Sequence, residues 1–227
     1  MKKILPNVRA MSFMIPILLM DSIYGILNAY TNTNRNLITA LDRAIPFVKE
    51  FIIPYVMWYP MVPLVFLYIC LKDKETYCRM LISLAASLII SYITFFFFQT
   101  TVPRPELVGN DVFTNIIRVL YSADRPINCF PSIHVMTCFL MIEGVWFTKG
   151  KNTKFAVITT IVNVIIILST VFIKQHVVLD GVFGIAIAFV TFVVANIFVK
   201  NQAIEFCRKV YMLTDISKRI NIDKKAM

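Results

Sequence analysis

The sequence predicts an all-α fold, a polytopic membrane helix bundle with six transmembrane helices and an active site at its outer face. Of the 227 residues, 58% are hydrophobic and only 16% are charged, and the mean hydropathy is +0.73. A soluble domain carries about 25% charged residues and cannot bury this much apolar surface. The apolar residues fall in long runs, each close to the roughly 20 residues that a bilayer requires. These observations exclude a soluble globule and a disordered chain.

Six apolar runs are long enough to be membrane spans. They cover residues 11–30, 51–71, 77–98, 131–147, 155–173 and 176–199. No repeat or soluble insertion interrupts them, so we assign residues 1–200 to one transmembrane domain and residues 201–227 to a basic tail. Between two spans, apolar positions in residues 112–121 follow Asn110-Asp111 at helical spacing, which predicts a short interfacial helix.

The basic residues predict the orientation of the chain. The formal net charge is +10, and a cytoplasmic N-terminus would place 16 of the 23 Lys and Arg residues in the inside loops and the tail. Both termini are therefore predicted to be cytoplasmic. The same charge predicts anionic lipids as partners at the cytoplasmic face, and no nucleic acid.

The chain contains two histidines, His134 and His176, and both lie at predicted outer ends of spans. Asp180 follows His176 by four residues, so on one helix face its carboxylate can accept the second imidazole N–H. This pairing would fix the tautomer and make the other nitrogen a better base or nucleophile. An Asp inside a span is costly and is usually functional or paired. A purely structural His–Asp hydrogen bond is the alternative.

Two further segments carry groups that could bind an anion. Pro131 suits the first turn of a helix, so the fourth span would start there with free N–H groups, and Ser132 would add a hydroxyl donor. Arg104 lies between Pro103 and Pro105, which hold the backbone extended, and its guanidinium suits bidentate phosphate binding. A commonplace helix start and a lipid-headgroup anchor are the plainer interpretations of these segments.

Together the three segments resemble the motifs of the type 2 phosphatidic acid phosphatase superfamily, which read Lys-x6-Arg-Pro, Pro-Ser-Gly-His and Ser-Arg-x5-His-x3-Asp. Their order and internal spacing agree with that pattern, and the resemblance extends from about Phe97 to Asp180. The matching residues are Arg104-Pro105, then Pro131-Ser132-Ile133-His134, then Ser169-Thr170 through His176 and Asp180.

Three positions depart from the superfamily pattern. Phe97 stands at the lysine of the first motif, Ile133 at the glycine of the second and Thr170 at the arginine of the third. Two phosphate-binding cations are therefore missing. Lys174 and Arg125 are the basic residues that we consider as substitutes.

A sub-pattern resembles one branch of the superfamily, the inositol phosphorylceramide synthases, which move a phosphorylated headgroup between lipids. It comprises Cys-Phe-Pro-Ser-x-His in the second motif, Lys-Gln-His in the third, and residues 42–59 with Ile45-Pro46-Phe47 and Pro54-Tyr55. This likeness favours transferase chemistry as an alternative to hydrolysis.

The resemblance implies a phosphohistidine mechanism. His176 would attack the phosphorus of a lipid phosphate ester, Asp180 would orient it, and His134 would protonate the leaving oxygen and later deprotonate water or an alcohol. The nucleophile must be neutral and the acid protonated, so activity would have a bell-shaped pH profile. No metal or other cofactor is expected. The implied phosphate-binding groups are Arg104, Ser132, the Ile133 N–H, Ser169, Thr170 and Lys174.

Three functions follow from these residues. The first is a lipid phosphatase acting on a membrane lipid with a phosphate headgroup, and the second is a lipid phosphotransferase. The third is a non-enzymatic transporter, which is disfavoured because both histidines lie at one face and not at the midplane. A zinc site built from His134, His176 and Asp180 is an alternative use of the same side chains.

Overall fold

The computed structural model describes residues 23–28 and 35–198. The described part is helical and contains no strand, and one isolated antiparallel bridge joins Thr101 to Ile127. The all-α prediction is therefore confirmed. Most of the predicted span at residues 11–30, and the tail at 201–227, lie outside the described residues.

From α1 onward the helices follow one another with connections of at most nine residues, apart from the loop that precedes α5. Residues 23–28 are helical, and a 3-10 turn occupies Lys49–Phe51. The α-helices after that first segment are α1 (Ala40–Ala44), α2 (Ile52–Val56), α3 (Trp58–Lys72), α4 (Lys74–Phe97), α5 (Val112–Ala123), α6 (Ile133–Phe147), α7 (Thr153–Phe172) and α8 (Val178–Phe198).

Four helical stretches of the described chain are long and apolar enough to cross a membrane. The first is Lys49–Lys72, which joins the 3-10 turn, α2 and α3, and the others are α4, α7 and α8. Their outward faces carry large apolar side chains, which suits contact with lipid. The chain is thus an integral membrane protein with a helical bundle, while the count of six spans stays a prediction.

Helix α6 lies at the centre of this bundle. It contacts α3, α4, α7 and α8. Its apolar residues are distributed all round the helix, as is typical of a helix enclosed by others. With 15 residues it is about 22 Å long, shorter than the roughly 30 Å hydrocarbon core, and eight of its residues are buried against its neighbours.

The two ends of the bundle have different chemistry. At one end, Asp73 caps α4 and also accepts the Lys149 N–H at 3.0 Å, while the Lys149 ammonium lies 3.1 Å from Glu75. The loops before α4 and before α7 therefore meet in a basic, hydrogen-bonded layer. At the other end, the Ser132 N–H donates to the Asp180 carbonyl at 3.0 Å and ties the start of α6 to the start of α8.

The predicted short helix is confirmed as α5. Asp111 caps it by accepting the N–H groups of Phe113 and Thr114, as the Asn110-Asp111 signal indicated. Its apolar face packs against the protein, in a cluster that includes Ile52, Tyr55 and Ile173. Helix α5 therefore covers the end of the bundle that holds the two histidines.

Candidate active site

His176 is held by two acceptors on one ring nitrogen. Its Nδ1 lies 3.0 Å from the Cys129 carbonyl oxygen and 3.3 Å from Asp180 Oδ2. A carbonyl oxygen can only accept a hydrogen bond, so Nδ1 carries the proton and Nε2 keeps its lone pair. The ring is oriented as a nucleophilic or basic imidazole requires.

The predicted pairing of His176 with Asp180 is confirmed, but His176 does not lie on the helix. Helix α8 begins at Val178, because the Asp180 carboxylate reaches back in the first turn and accepts the Val177 N–H at 3.0 Å. His176 thus stands in the turn before α8. Asp180 is 1% exposed, and its Oδ1 has no hydrogen-bond partner among the described residues.

His134 lies in the first turn of α6 and faces His176. The two ring centroids are 5.9 Å apart. The His134 Nε2 is 3.1 Å from the Tyr55 hydroxyl, and the Trp58 ring lies 4.5 Å from the His134 ring. Trp58 is fixed in turn because its indole N–H donates to the Thr137 hydroxyl at 2.7 Å. Two aromatic side chains therefore orient His134.

The start of α6 differs by two residues from the prediction. Ser132 is the N-cap, since its hydroxyl accepts the Val135 N–H at 3.3 Å, and Pro131 precedes the helix after a cis peptide bond. Gly184 lets α8 approach this cap closely, because a Cβ there would lie 2.8 Å from the Ser132 carbonyl oxygen.

A cavity of about 280 Å³ opens beside both histidines. Its walls come from the 23–28 helix, α2, α3, α4, the end of α5, the loop after α5, the start of α6 and the turn before α8. Its polar lining includes Asp124, Arg125, Asn128, His134, Gln175 and His176, and its apolar lining includes Tyr24, Trp58, Phe95 and Leu120. Such a site can hold a polar headgroup beside an apolar chain.

A family model described as the PAP2 superfamily matches residues 36–194. The chain belongs to the PAP2 superfamily. This superfamily comprises phosphatases and phosphotransferases that act on phosphate esters, so the protein is an enzyme of that class. No curated protein and no solved structure matches the chain. His134, His176 and Asp180 all lie inside the matched region, whereas the likeness to inositol phosphorylceramide synthases stays a prediction.

Arg104, from the first PAP2 motif, lies behind the cavity wall. Its Nη2 donates to Gln175 Oε1 at 2.7 Å, its Nη1 donates to the Tyr121 carbonyl at 3.0 Å, and its guanidinium stacks 4.1 Å from the Tyr121 ring. Burial lowers the pKa of Arg104, with Asp124 opposing that shift. Arg104 therefore does not line the cavity itself, but it is hydrogen-bonded to Gln175, which does.

Ser169 and Thr170, at the third PAP2 motif, are fully buried and do not line the cavity. Their hydroxyls donate to carbonyls within α7, at 2.6 and 2.8 Å. The Thr170 carbonyl accepts the N–H groups of Gln175 and His176, at 3.0 and 3.1 Å. In this structure both residues shape the turn that presents His176. Ser132 is likewise fully buried behind the lining.

Arg125 and Lys174, the two candidate substitutes for the missing motif cations, border different cavities. Arg125 lines the cavity with both histidines. The Lys174 ammonium donates to the carbonyls of Ile45, at 2.6 Å, and Asp42, at 3.2 Å, and it borders a second cavity of about 290 Å³ on which His176 also lies. Burial lowers the pKa of Lys174, against the opposing charge of Asp42.

Sequence reasoning missed four groups at this site. The Cys129 carbonyl is a backbone acceptor, and no side-chain pattern could reveal it. Tyr55 fell in a segment that was noted only for its likeness to one branch. Gln175 lies within the quoted Lys-Gln-His segment, and Asn128 directly precedes the Cys-Phe-Pro-Ser-x-His segment, but neither was given a role. Within the described ranges, no group of three or more His, Cys, Asp or Glu side chains could hold a metal ion.

Proposed function

We propose that the protein is a membrane lipid phosphatase, which hydrolyses a lipid phosphate or diphosphate ester through a phosphohistidine on His176. One observation carries the proposal. The Cys129 carbonyl and Asp180 both accept from Nδ1, which leaves Nε2 as the nucleophile, within reach of His134. A neutral imidazole in this tautomer is the group that attack on phosphorus needs.

In the first step, Nε2 of His176 forms a bond to phosphorus, and the ester P–O bond breaks. The leaving oxygen takes a proton from His134, while Asp180 stabilises the imidazolium that develops. In the second step, water loses a proton to His134 and attacks phosphorus. The P–N bond then breaks, and inorganic phosphate leaves.

The nonbridging oxygens need donors as their charge redistributes. The Ile133 N–H belongs to the first turn of α6, where backbone N–H groups have no partner within the helix, and Ile133 lines the cavity. Arg125 adds a positive charge at the same wall. The Ile133 N–H and Arg125 would stabilise the negative charge on the nonbridging phosphoryl oxygens.

The substrate is proposed to remain in the bilayer while its headgroup enters the cavity. Tyr24 and Phe95 give the cavity an apolar wall for an acyl or prenyl chain. The basic loops around Lys74 and Lys149 lie at the opposite end of the bundle, where they would face anionic lipids in the cytoplasmic leaflet. Both termini would then be cytoplasmic, with the histidines on the other side.

A lipid phosphotransferase is the second candidate, since the same phosphohistidine could pass its phosphoryl group to an alcohol. In either reaction the acceptor would have to enter the cavity that His134 lines. The two candidates differ in whether inorganic phosphate or a new phosphate ester is the product.

The test uses purified protein in lipid nanodiscs with a panel of lipid monophosphates and diphosphates. We expect release of inorganic phosphate, lost in His176→Ala. Adding alcohol acceptors should leave phosphate release unchanged if water is the acceptor. A drop in phosphate, with matching formation of a new ester, would instead favour the transferase.

The intermediate can be trapped separately. An aryl phosphate has a leaving group that needs little protonation, so His134→Gln should still form the phosphohistidine but hydrolyse it slowly. We expect an acid-labile, base-stable phosphoprotein to accumulate in His134→Gln and to be absent from His134→Gln/His176→Ala. Labelling that persists in the double variant would contradict the proposal.

A further inference from the structure

Two buried carboxamides in the cavity have polar atoms without partners. Gln175 is 4% exposed, and its Nε2 makes no hydrogen bond within the described chain. Asn128 is 3% exposed, and neither its Oδ1 nor its Nδ2 has a partner there. Both side chains line the cavity that holds His134 and His176. Buried polar groups are almost always hydrogen-bonded, so two such groups at one wall indicate a polar ligand.

Arg104 fixes which way the Gln175 amide points. The guanidinium can only donate, and its Nη2 lies 2.7 Å from Gln175 Oε1. The oxygen of the amide is therefore bound to Arg104, and the NH2 group is directed away from it. Arg104 is itself locked by the Tyr121 carbonyl and ring. The Gln175 NH2 is thus an oriented donor for which residues 23–28 and 35–198 supply no acceptor.

Asn128 is held in a backbone conformation that side chains rarely adopt. Its φ is +58°, in the left-handed region. Asparagine and glycine tolerate this region better than other residues do. The backbone therefore places a carboxamide in the cavity directly before Cys129, whose carbonyl holds His176. The side chain can donate through Nδ2 and accept through Oδ1.

We propose that Gln175 and Asn128 form a neutral cradle for the phosphoryl oxygens, with Arg104 as a positioning residue that acts through Gln175. The inference rests on the proposed function and names the ligands of its phosphate. The Gln175 and Asn128 NH2 groups donate to nonbridging oxygens, a task that Thr170, buried within α7, cannot perform. The Asn128 oxygen accepts from a protonated phosphate oxygen or from the attacking water.

Inorganic phosphate is the probe, and its affinity is measured by calorimetry on the full-length protein in detergent. His176→Ala serves as the background, since binding there requires no chemistry. We expect Gln175→Met and Asn128→Gly each to weaken phosphate binding by roughly tenfold to a hundredfold, as expected for a lost hydrogen bond to a charged group. Gln99→Met and Asn115→Ala, at positions outside the cavity lining, are the matched controls.

Asn128→Gly separates a ligand from a structural role. Glycine keeps the left-handed backbone and removes only the carboxamide, so the variant should retain its Tm. If Asn128 served the backbone alone, phosphate affinity would be unchanged. Asn128→Asp keeps the shape but places a carboxylate beside the phosphate, and we expect still weaker binding.

Arg104 is tested by its coupling to Gln175. Arg104→Met should weaken phosphate binding when Gln175 is present and have little further effect in the Gln175→Met background. For turnover, Gln175→Met should raise KM more than it lowers kcat if the donor acts mainly on bound phosphate. If Arg104→Met and Gln175→Met weakened phosphate binding additively, the positioning role of Arg104 would be overturned.

The two proposals fail in different ways. Phosphate affinity that is unchanged in both Gln175→Met and Asn128→Gly overturns the cradle, whatever lipid is hydrolysed. Phosphate binding that depends on both residues, in a protein that releases no phosphate from any lipid substrate, keeps the cradle and removes the proposed function.

Discussion

Asp42 Oδ1 accepts the backbone N–H of Val178 at 2.7 Å, across 136 positions of the chain. The other carboxylate oxygen accepts the N–H of Thr39 at 2.8 Å and its hydroxyl at 2.6 Å. One buried side chain therefore caps the short helix α1 and the start of α8. Because α8 carries Asp180 in that first turn, Asp42 helps to fix the position of His176.

We expect Asp42→Asn to lower the Tm, with a loss of about 1–3 kcal/mol in the free energy of unfolding, because an amide NH2 would face backbone donors. Thr39→Ala, which removes the α1 cap and the hydroxyl bond to Asp42 but keeps the Val178 N–H bond to Asp42, is the control and should cost less. Thermal unfolding in detergent measures both. An unchanged Tm in Asp42→Asn would refute this role.

Because the Asp42 carboxylate is hydrogen-bonded in the folded protein, we expect the stability of the protein to depend on pH. Burial raises the pKa of Asp42, but hydrogen bonds from the Thr39 hydroxyl and the N–H groups of Val178 and Thr39 outweigh it and hold the pKa below its usual value. A depressed pKa contributes stability at neutral pH that is lost as the pH falls through the folded-state pKa. The Tm difference between wild type and Asp42→Asn should therefore narrow below about pH 4.

Gly184→Ala tests the close approach of α8 to the cap of α6. The added methyl would lie 2.8 Å from the Ser132 carbonyl oxygen, a backbone atom, so the two helices must separate. We expect a loss of about 1–3 kcal/mol and reduced phosphate release. In Gly181→Ala the methyl would meet only Val135 side-chain atoms, at 3.7 Å and beyond, and the protein should behave like wild type.

Tyr55→Phe removes the hydroxyl that lies 3.1 Å from His134 Nε2 but keeps the ring contact. We expect kcat to fall by roughly tenfold to a hundredfold, because His134 would lose its orientation for proton transfer. Tyr68→Phe makes the same chemical change at the other end of the bundle, where the hydroxyl accepts the Asn152 N–H. That control should lower stability and leave kcat unchanged.

Asp180→Asn tests the tautomer of His176. The amide would offer NH2 or oxygen to the imidazole and would no longer stabilise the positive charge, so we expect kcat/KM to fall by at least about a hundredfold. Asp73→Asn alters a buried helix-capping aspartate far from the histidines. Equal losses of activity in the two variants, at equal folded fractions, would count against a chemical role for Asp180.

The sequence revealed the site residues whose side chains carry distinctive chemistry. His134, His176 and Asp180 could be placed together because histidine is scarce in this chain and a spacing of four residues has a geometric meaning. Arg104 was recognised as a cation but not as a partner of Gln175, since that contact spans 71 residues and depends on how the loops fold back.

Helix boundaries at the site were harder to predict, because hydrophobic runs continue past the point where a cap ends the helix. Ser132 accepts the N–H of Val135 ahead of it, Asp180 reaches back to the N–H of Val177, and these two bonds set the starts of α6 and α8. Asn128 could not be assigned a role, because its left-handed backbone is a product of the whole loop. The four stretches that are long and apolar enough to cross a membrane could be predicted from hydropathy alone.

Helix α6 touches four neighbours, carries His134 at one tip and has Gly144 near the other, closely packed against Met80 and Ile69. A methyl added at Gly144 would meet the ends of the Met80 and Ile69 side chains, so either those side chains or α6, which carries His134 ten residues away, must shift. A substitution at a position that contacts no reactant is therefore expected to reduce turnover if it moves His134 through α6.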